Sequence, residues 1–106
     1  ISGGYNVYPK EVELTLDALD GVKESAVFGV PHPDFGEAVT AMVVAEAGKE
    51  SALSEQGLID ACRTQLAGYK TPKRVFFADA LPRNTMGKVQ KAQLRTDYED
   101  TFQGAA

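Results

Sequence analysis

Two short segments hold the residue types best suited to chemistry. In the first, Pro82-Arg83-Asn84-Thr85-Met86-Gly87-Lys88 is a proline-led polar loop, in which Gly87 permits a tight turn and Lys88 can project beside it. A lysine ammonium on a loop is a mobile point charge that suits phosphate or carboxylate oxygens. This is not a Walker A loop. Pro82 stands where its first glycine would be, and Val89 replaces the serine or threonine that would hold magnesium. In the second segment, Ser2-Gly3-Gly4-Tyr5-Asn6, two consecutive glycines allow close backbone approach by a ligand or another chain. A plain loop leading into a helix cap explains the same residues, and local chemistry alone does not separate the two.

Charge adds a third feature. The chain has 106 residues and a net charge of −4, which argues against nucleic-acid binding by the whole surface. The total hides an asymmetry: residues 1–69 carry a net −7, residues 70–95 a net +6 and residues 96–106 a net −3. A cationic segment in an acidic domain points to an anionic ligand met at one place. Scattered solvated lysines are the bland alternative.

The elements that must position these residues follow from pattern. Pro9 suits the first turn of a helix, Glu11 and Glu13 lie near its positive end, and Val12, Leu16 and Leu19 recur at helical spacing. Asp20-Gly21 closes it. Val22–Val30 reads as a strand with Ala26, Phe28 and Val30 on one face and Val27 on the other. Pro31 to Gly36 reads as a loop, since two prolines in three residues break a ladder. Val39–Ala47 reads as a second strand, making a long antiparallel hairpin. Ser54 is positioned to cap a helix running to about Leu66, with Leu58, Ile59, Cys62 and Leu66 inward. Arg74–Ala78 is a third, short strand, and the stretch from Val89 to about Phe102 starts extended and turns helical. Tyr98 and Phe102, four apart, read as packing residues, and His32, between prolines, as structural. The expected fold is α+β: a small sheet of about three strands with packed helices, in a single domain spanning residues 1–106.

Composition removes several function classes. With Cys62 as the single cysteine and His32 as the single histidine, an intrachain disulfide is excluded and a cysteine or multi-histidine metal site is not expected. No apolar run reaches the ~20 residues of a membrane helix, and no secretory leader is evident. The chain opens on Ile1 rather than methionine, so it reads as part of something longer, in a cytoplasmic setting.

Taken together, the motifs carry a resemblance. Ser2-Gly3-Gly4-Tyr5-Asn6-Val7-Tyr8-Pro9-Lys10-Glu11-Val12-Glu13 resembles the segment just after the hinge in the adenylate-forming superfamily of acyl-CoA synthetases, luciferases and peptide-synthetase adenylation domains. Pro82 to Lys91 resembles that superfamily's catalytic-lysine motif. Gly29 to Glu37 is similar to its hairpin turn, and Tyr69-Lys70-Thr71-Pro72-Lys73 to the segment before its next strand. The resemblance implies the mobile C-terminal lid of such an enzyme, with the large N-terminal domain as its partner. It implies ATP and Mg2+, held mainly by that other domain, then CoA and a small carboxylate as co-substrates. Lys88 would stabilise charge as the acyl-adenylate forms. After lid rotation, Gly3 and Gly4 would line the pantetheine tunnel. Lys70, Lys73, Arg74 and Lys91 are candidates for the phosphates of CoA. Leu81 to Lys91 is most similar to malonyl-CoA and methylmalonyl-CoA synthetases. The chain alone, lacking an ATP pocket, is expected to be inactive. Two rivals make different predictions. A peptide-synthetase lid would hand its acyl group to a carrier protein. A stand-alone nucleic-acid module would bind oligonucleotides in a salt-dependent way, and the basic segment lacks the interleaved aromatics for that beyond Phe76 and Phe77.

Overall fold

The computed structural model describes residue 4 and residues 6–103. In chain order the elements are α1 (Pro9–Asp17), β1 (Val22–His32), β2 (Gly36–Ala45), α2 (Glu55–Arg63), β3 (Arg74–Phe77) and α3 (Lys91–Asp97), with single 3-10 turns at Glu50–Ala52 and Gly68–Lys70. The α+β expectation holds, with a sheet ordered β1-β2-β3. β1 and β2 form the antiparallel hairpin, while β3 lies parallel to β2. A parallel neighbour needs a crossover connection, and α2 supplies it.

The alternating side chains of the strands feed two cores. Val27, Val39, Ala41, Val43 and Val75 meet Val12 and Leu16 of α1 and Leu58, Ile59 and Cys62 of α2 on one face. Ala26, Phe28, Val30, Met42 and Val44 meet Leu81 and Leu94 on the other, where Phe76, Tyr98 and Phe102 pack against them. Covering both faces makes the central strand β2 buried from Ala38 through Val44. Burial also pushes the Cys62 thiol up, as suits an inert core residue.

Several element ends differ from the sequence reading. β1 continues through Pro31, which pairs with Glu37, to His32. Pro31 does not break the ladder because β1 is an edge strand, where a missing donor is tolerated. α2 stops at Arg63 rather than near Leu66, yet Ser54 caps it as expected, its hydroxyl oxygen accepting from the Gly57 N–H at 3.0 Å. His32 organises the hairpin turn. Its Nδ1 accepts from the N–H groups of Asp34 (3.0 Å) and Phe35 (3.3 Å), and its ring packs on Phe35 and Phe102.

A bulge near the start of β1 has a positional consequence. Val22 pairs with Ala45 and Glu24 with Val44, so one residue of β1 is unmatched. Val22 therefore joins the α1/α2 core, whereas Glu24, two residues on, shares the opposite face with Val44 and Ala26. Without the bulge, Val22 and Glu24 would point the same way.

Both outer edges of the sheet are closed by a glutamate. On β1, the Val27 N–H donates to Glu13 Oε2 at 2.8 Å, and the same oxygen meets Lys91 Nζ at 2.7 Å. On β3, the Val75 N–H donates to Glu55 Oε2 at 2.8 Å, and Arg74 Nε lies 2.7 Å away. Each carboxylate satisfies an edge donor that could otherwise pair with another strand.

Candidate functional site

Lys88 lies in a tight hairpin closed by an antiparallel bridge between Arg83 and Val89. Gly87 takes φ +84°, the left-handed region that glycine occupies without a Cβ penalty. The Asn84 side chain shapes the turn, its Oδ1 accepting from the N–H groups of Met86 (2.9 Å) and Lys88 (3.0 Å). The Lys88 carbonyl accepts from the Asn84 N–H and from Gln90 Nε2, both at 3.0 Å. The backbone of Lys88 is thus held at both its donor and its acceptor.

Its side chain is free. Lys88 is exposed, and its ammonium has no carboxylate partner among the described residues. It faces an open groove that Lys10, Glu13, Asn84, Gln90 and Lys91 also line. An unpaired ammonium on a pinned backbone is suited to meet an external anion.

The four other candidate cations are engaged within the chain. Lys70 pairs with Glu11 at 2.9 Å, Arg74 with Glu55 and Lys91 with Glu13, each at 2.7 Å. Lys73 Nζ sits 4.4 Å from the centre of the Phe35 ring, with no ion pair among the described residues. The structure puts Lys91 beside Lys88 in one groove, while Lys70, Lys73 and Arg74 lie along the approach to β3 and its first residue. Gly4 is exposed at φ +84°, and a Cβ there would meet nothing within 4 Å, so conformation rather than room favours glycine. Gly3 lies outside the described residues.

Sequence reasoning did not single out Glu24, Arg83 or Asn84. Arg83 Nε donates to the Gly87 carbonyl at 3.0 Å, and its two terminal nitrogens meet Glu24 at 2.7 and 3.2 Å. The hydrogen bond from Arg83 lowers the Glu24 pKa, its charge adds to that effect, and burial opposes it. Asn three residues before a glycine was a legible turn signal; the Arg83–Glu24 pair, 59 residues apart, had none.

Residues 11–88 match the AMP-binding enzyme C-terminal domain family, and the chain belongs to it. Its fold is that of the C-terminal domain of adenylate-forming enzymes. The chain is 54% identical to ATP-bound MatB from Rhodopseudomonas palustris, with a TM-score of 0.92 over 97% of this chain and 20% of that one. It is 48% identical over 101 residues to the long-chain-fatty-acid–CoA ligase FadD13 of Mycobacterium tuberculosis, covering 95% of this chain and 20% of the ligase. A Rhodococcus jostii CoA ligase for a methyl-dioxo-octahydroindenyl propanoate is 52% identical over 97 residues, or 92% of this chain and 18% of the ligase. The chain spans about a fifth of the length of these relatives.

Proposed function

We propose that this chain is the C-terminal lid of an ATP-dependent acyl-CoA synthetase and that Lys88 serves its first half-reaction. In that step a carboxylate oxygen attacks the α-phosphorus of ATP, and pyrophosphate leaves. Negative charge gathers on the phosphoryl oxygens, where a positioned ammonium stabilises the transition state. In the second step the CoA sulfur attacks the acyl carbon and AMP leaves. The lid turns between the two, and the glycine loop of Gly3 and Gly4 then lines the route of the pantetheine arm. Magnesium accompanies ATP and is assigned to the large domain, as the family resemblance implies. For the phosphates of CoA, Lys73 is the first candidate of the four, because it has no carboxylate to give up among the described residues.

The observation that carries this reading is the unpaired Lys88 ammonium on a hydrogen-bonded hairpin, in a chain of this family. We assign malonate or methylmalonate as the carboxylate. Support comes from the Leu81–Lys91 segment and from the 54–56% identity to structures of MatB, a malonyl-CoA synthetase, and its chimeras. No helix among the described residues is long and apolar enough to cross a membrane, and we place the enzyme in the cytoplasm.

The test uses the full-length enzyme, wild type and Lys88→Ala. Malonate-dependent pyrophosphate exchange should fall by about 10²–10³-fold in the variant, the cost of losing one preorganised charge-stabilising donor. Thioester formation from pre-made malonyl-AMP should survive. Equal exchange by both enzymes would sink the lysine assignment. Wild-type exchange with other carboxylates but not malonate would overturn the substrate assignment alone.

A further inference from the structure

We propose that Arg83 and Glu24 are positioning residues for Lys88, forming a strut from the edge of the sheet to the peptide that carries the lysine. The inference deepens the reading of Lys88 given above and rests on it.

The hairpin needs such a device because burial does not hold it. Residues 83–88 are all exposed, and Met86 at the tip is 89% exposed. Hydrophobic packing fixes Leu81 below, and Val89 and Leu94 beyond, but nothing from residue 83 to residue 88. A lysine side chain is long and flexible, so where its ammonium dwells depends on where its backbone starts and which way it points.

The structure fixes both. The peptide linking Gly87 to Lys88 is gripped at its two ends: its carbonyl accepts from Arg83 Nε, and its N–H donates to Asn84 Oδ1. A planar peptide held at donor and acceptor has little freedom to rotate. Asn84 belongs to the same hairpin and cannot anchor it to the body of the domain. Arg83 can, because its other two nitrogens reach Glu24. A guanidinium is suited to this task, with rigid donors pointing to two acceptors at once. Glu24 in turn faces the hairpin only because the bulge at the start of β1 turns it to that side of the sheet. The line of force therefore runs from β1 through the Glu24 carboxylate and the Arg83 guanidinium to the Gly87 carbonyl and Lys88.

The strut should matter for adenylation and not for the thioester step, which does not use Lys88. The test is made in the full-length enzyme with the carboxylate that supports exchange in the wild type, malonate first. Arg83→Ala should lower the kcat of pyrophosphate exchange by roughly 10–100-fold, as expected for a reacting group misplaced by about 1 Å. The KM for the carboxylate and thioester formation from pre-made acyl-AMP should stay near wild type. Arg83→Lys should not rescue exchange fully, since an ammonium that meets Glu24 cannot present the same fork to Gly87. Glu24→Gln should give a smaller loss, and the double variant should be no worse than Arg83→Ala alone.

Unchanged exchange in Arg83→Ala would overturn the strut, and so would a parallel fall of both half-reactions, which marks general damage to the lid. Full rescue by Arg83→Lys would overturn the role of the fork. Lys88→Ala is measured alongside. If it collapses exchange while Arg83→Ala does not, only the strut fails. If Lys88→Ala exchanges normally, the lysine assignment fails, whatever Arg83 does.

Discussion

Lys88 and Lys91 are the same residue type, three positions apart and lining one groove, yet they are in opposite situations. The Lys91 ammonium is locked at 2.7 Å to Glu13, a carboxylate with only 13% of its side chain exposed that also closes the edge of β1. The Lys88 ammonium has no such partner among the described residues, while its backbone is held by three hydrogen bonds. At Lys91 the charge serves the fold and the backbone begins a helix. At Lys88 the backbone serves the fold and the charge is left for a ligand. A basic segment is thus no single binding surface. Four of its seven cations are spent on ion pairs within the chain: Lys70 and Lys91 with α1, Arg74 with α2 and Arg83 with β1.

Three measurements of stability test this contrast. The largest effect should come from Glu13→Ala, which leaves the Val27 N–H at the sheet edge without its acceptor and Lys91 without its partner. A loss of about 1–3 kcal/mol in urea unfolding is expected, and a loss near zero would show that water replaces the carboxylate freely.

The two lysines come next. Lys91→Ala should cost about 1 kcal/mol, the worth of a typical hydrogen bond, because Glu13 keeps the Val27 N–H. Lys88→Ala should stay within about ±0.5 kcal/mol of wild type, like other surface substitutions. Equal stability losses in both variants would erase the distinction between a structural and a free cation.

The smallest effect concerns acid. Glu24 is held below its ordinary pKa chiefly by its hydrogen bond from Arg83. For Glu55, burial is the largest influence and pushes upward, but the Val75 N–H and Arg74 together outweigh it and the net shift is downward. A carboxylate with a depressed folded-state pKa adds stability that is complete above its unfolded value and is lost as pH falls through the folded one. Stability should therefore decline as the solution is taken from neutral through the carboxylate range. In Glu24→Gln and Glu55→Gln the decline should be shallower, and an unchanged slope would count against these pairs.

The elements themselves were legible where local rules govern. Val12 and Leu16 at helical spacing, the Ser54 cap and the alternation of Val27 against Ala26 and Phe28 all appear as the pattern requires. Pro31 departs from the loop expectation because the tolerance of a strand for proline depends on whether it is an edge, and edge status is a property of the sheet. Glu13 shows the same limit. Its place near the start of α1 suggested a dipole role, whereas its carboxylate reaches the β1 edge and Lys91.

The candidate site divides along the same line. Gly87, Asn84 and Lys88 lie within five residues, so the turn that presents the lysine is written into adjacent positions, and the motif around them was readable. The strands, the helices, the β1–β2 hairpin and the turn beside Lys88 are all legible in the sequence alone. Tertiary structure decided which cations are free. Arg83 finds Glu24 and Lys70 finds Glu11 across 59 residues, and Arg74 finds Glu55 across 19. Charges pair through space, and the distances that matter exist only once the sheet, its bulge and the helices on both faces have been assembled.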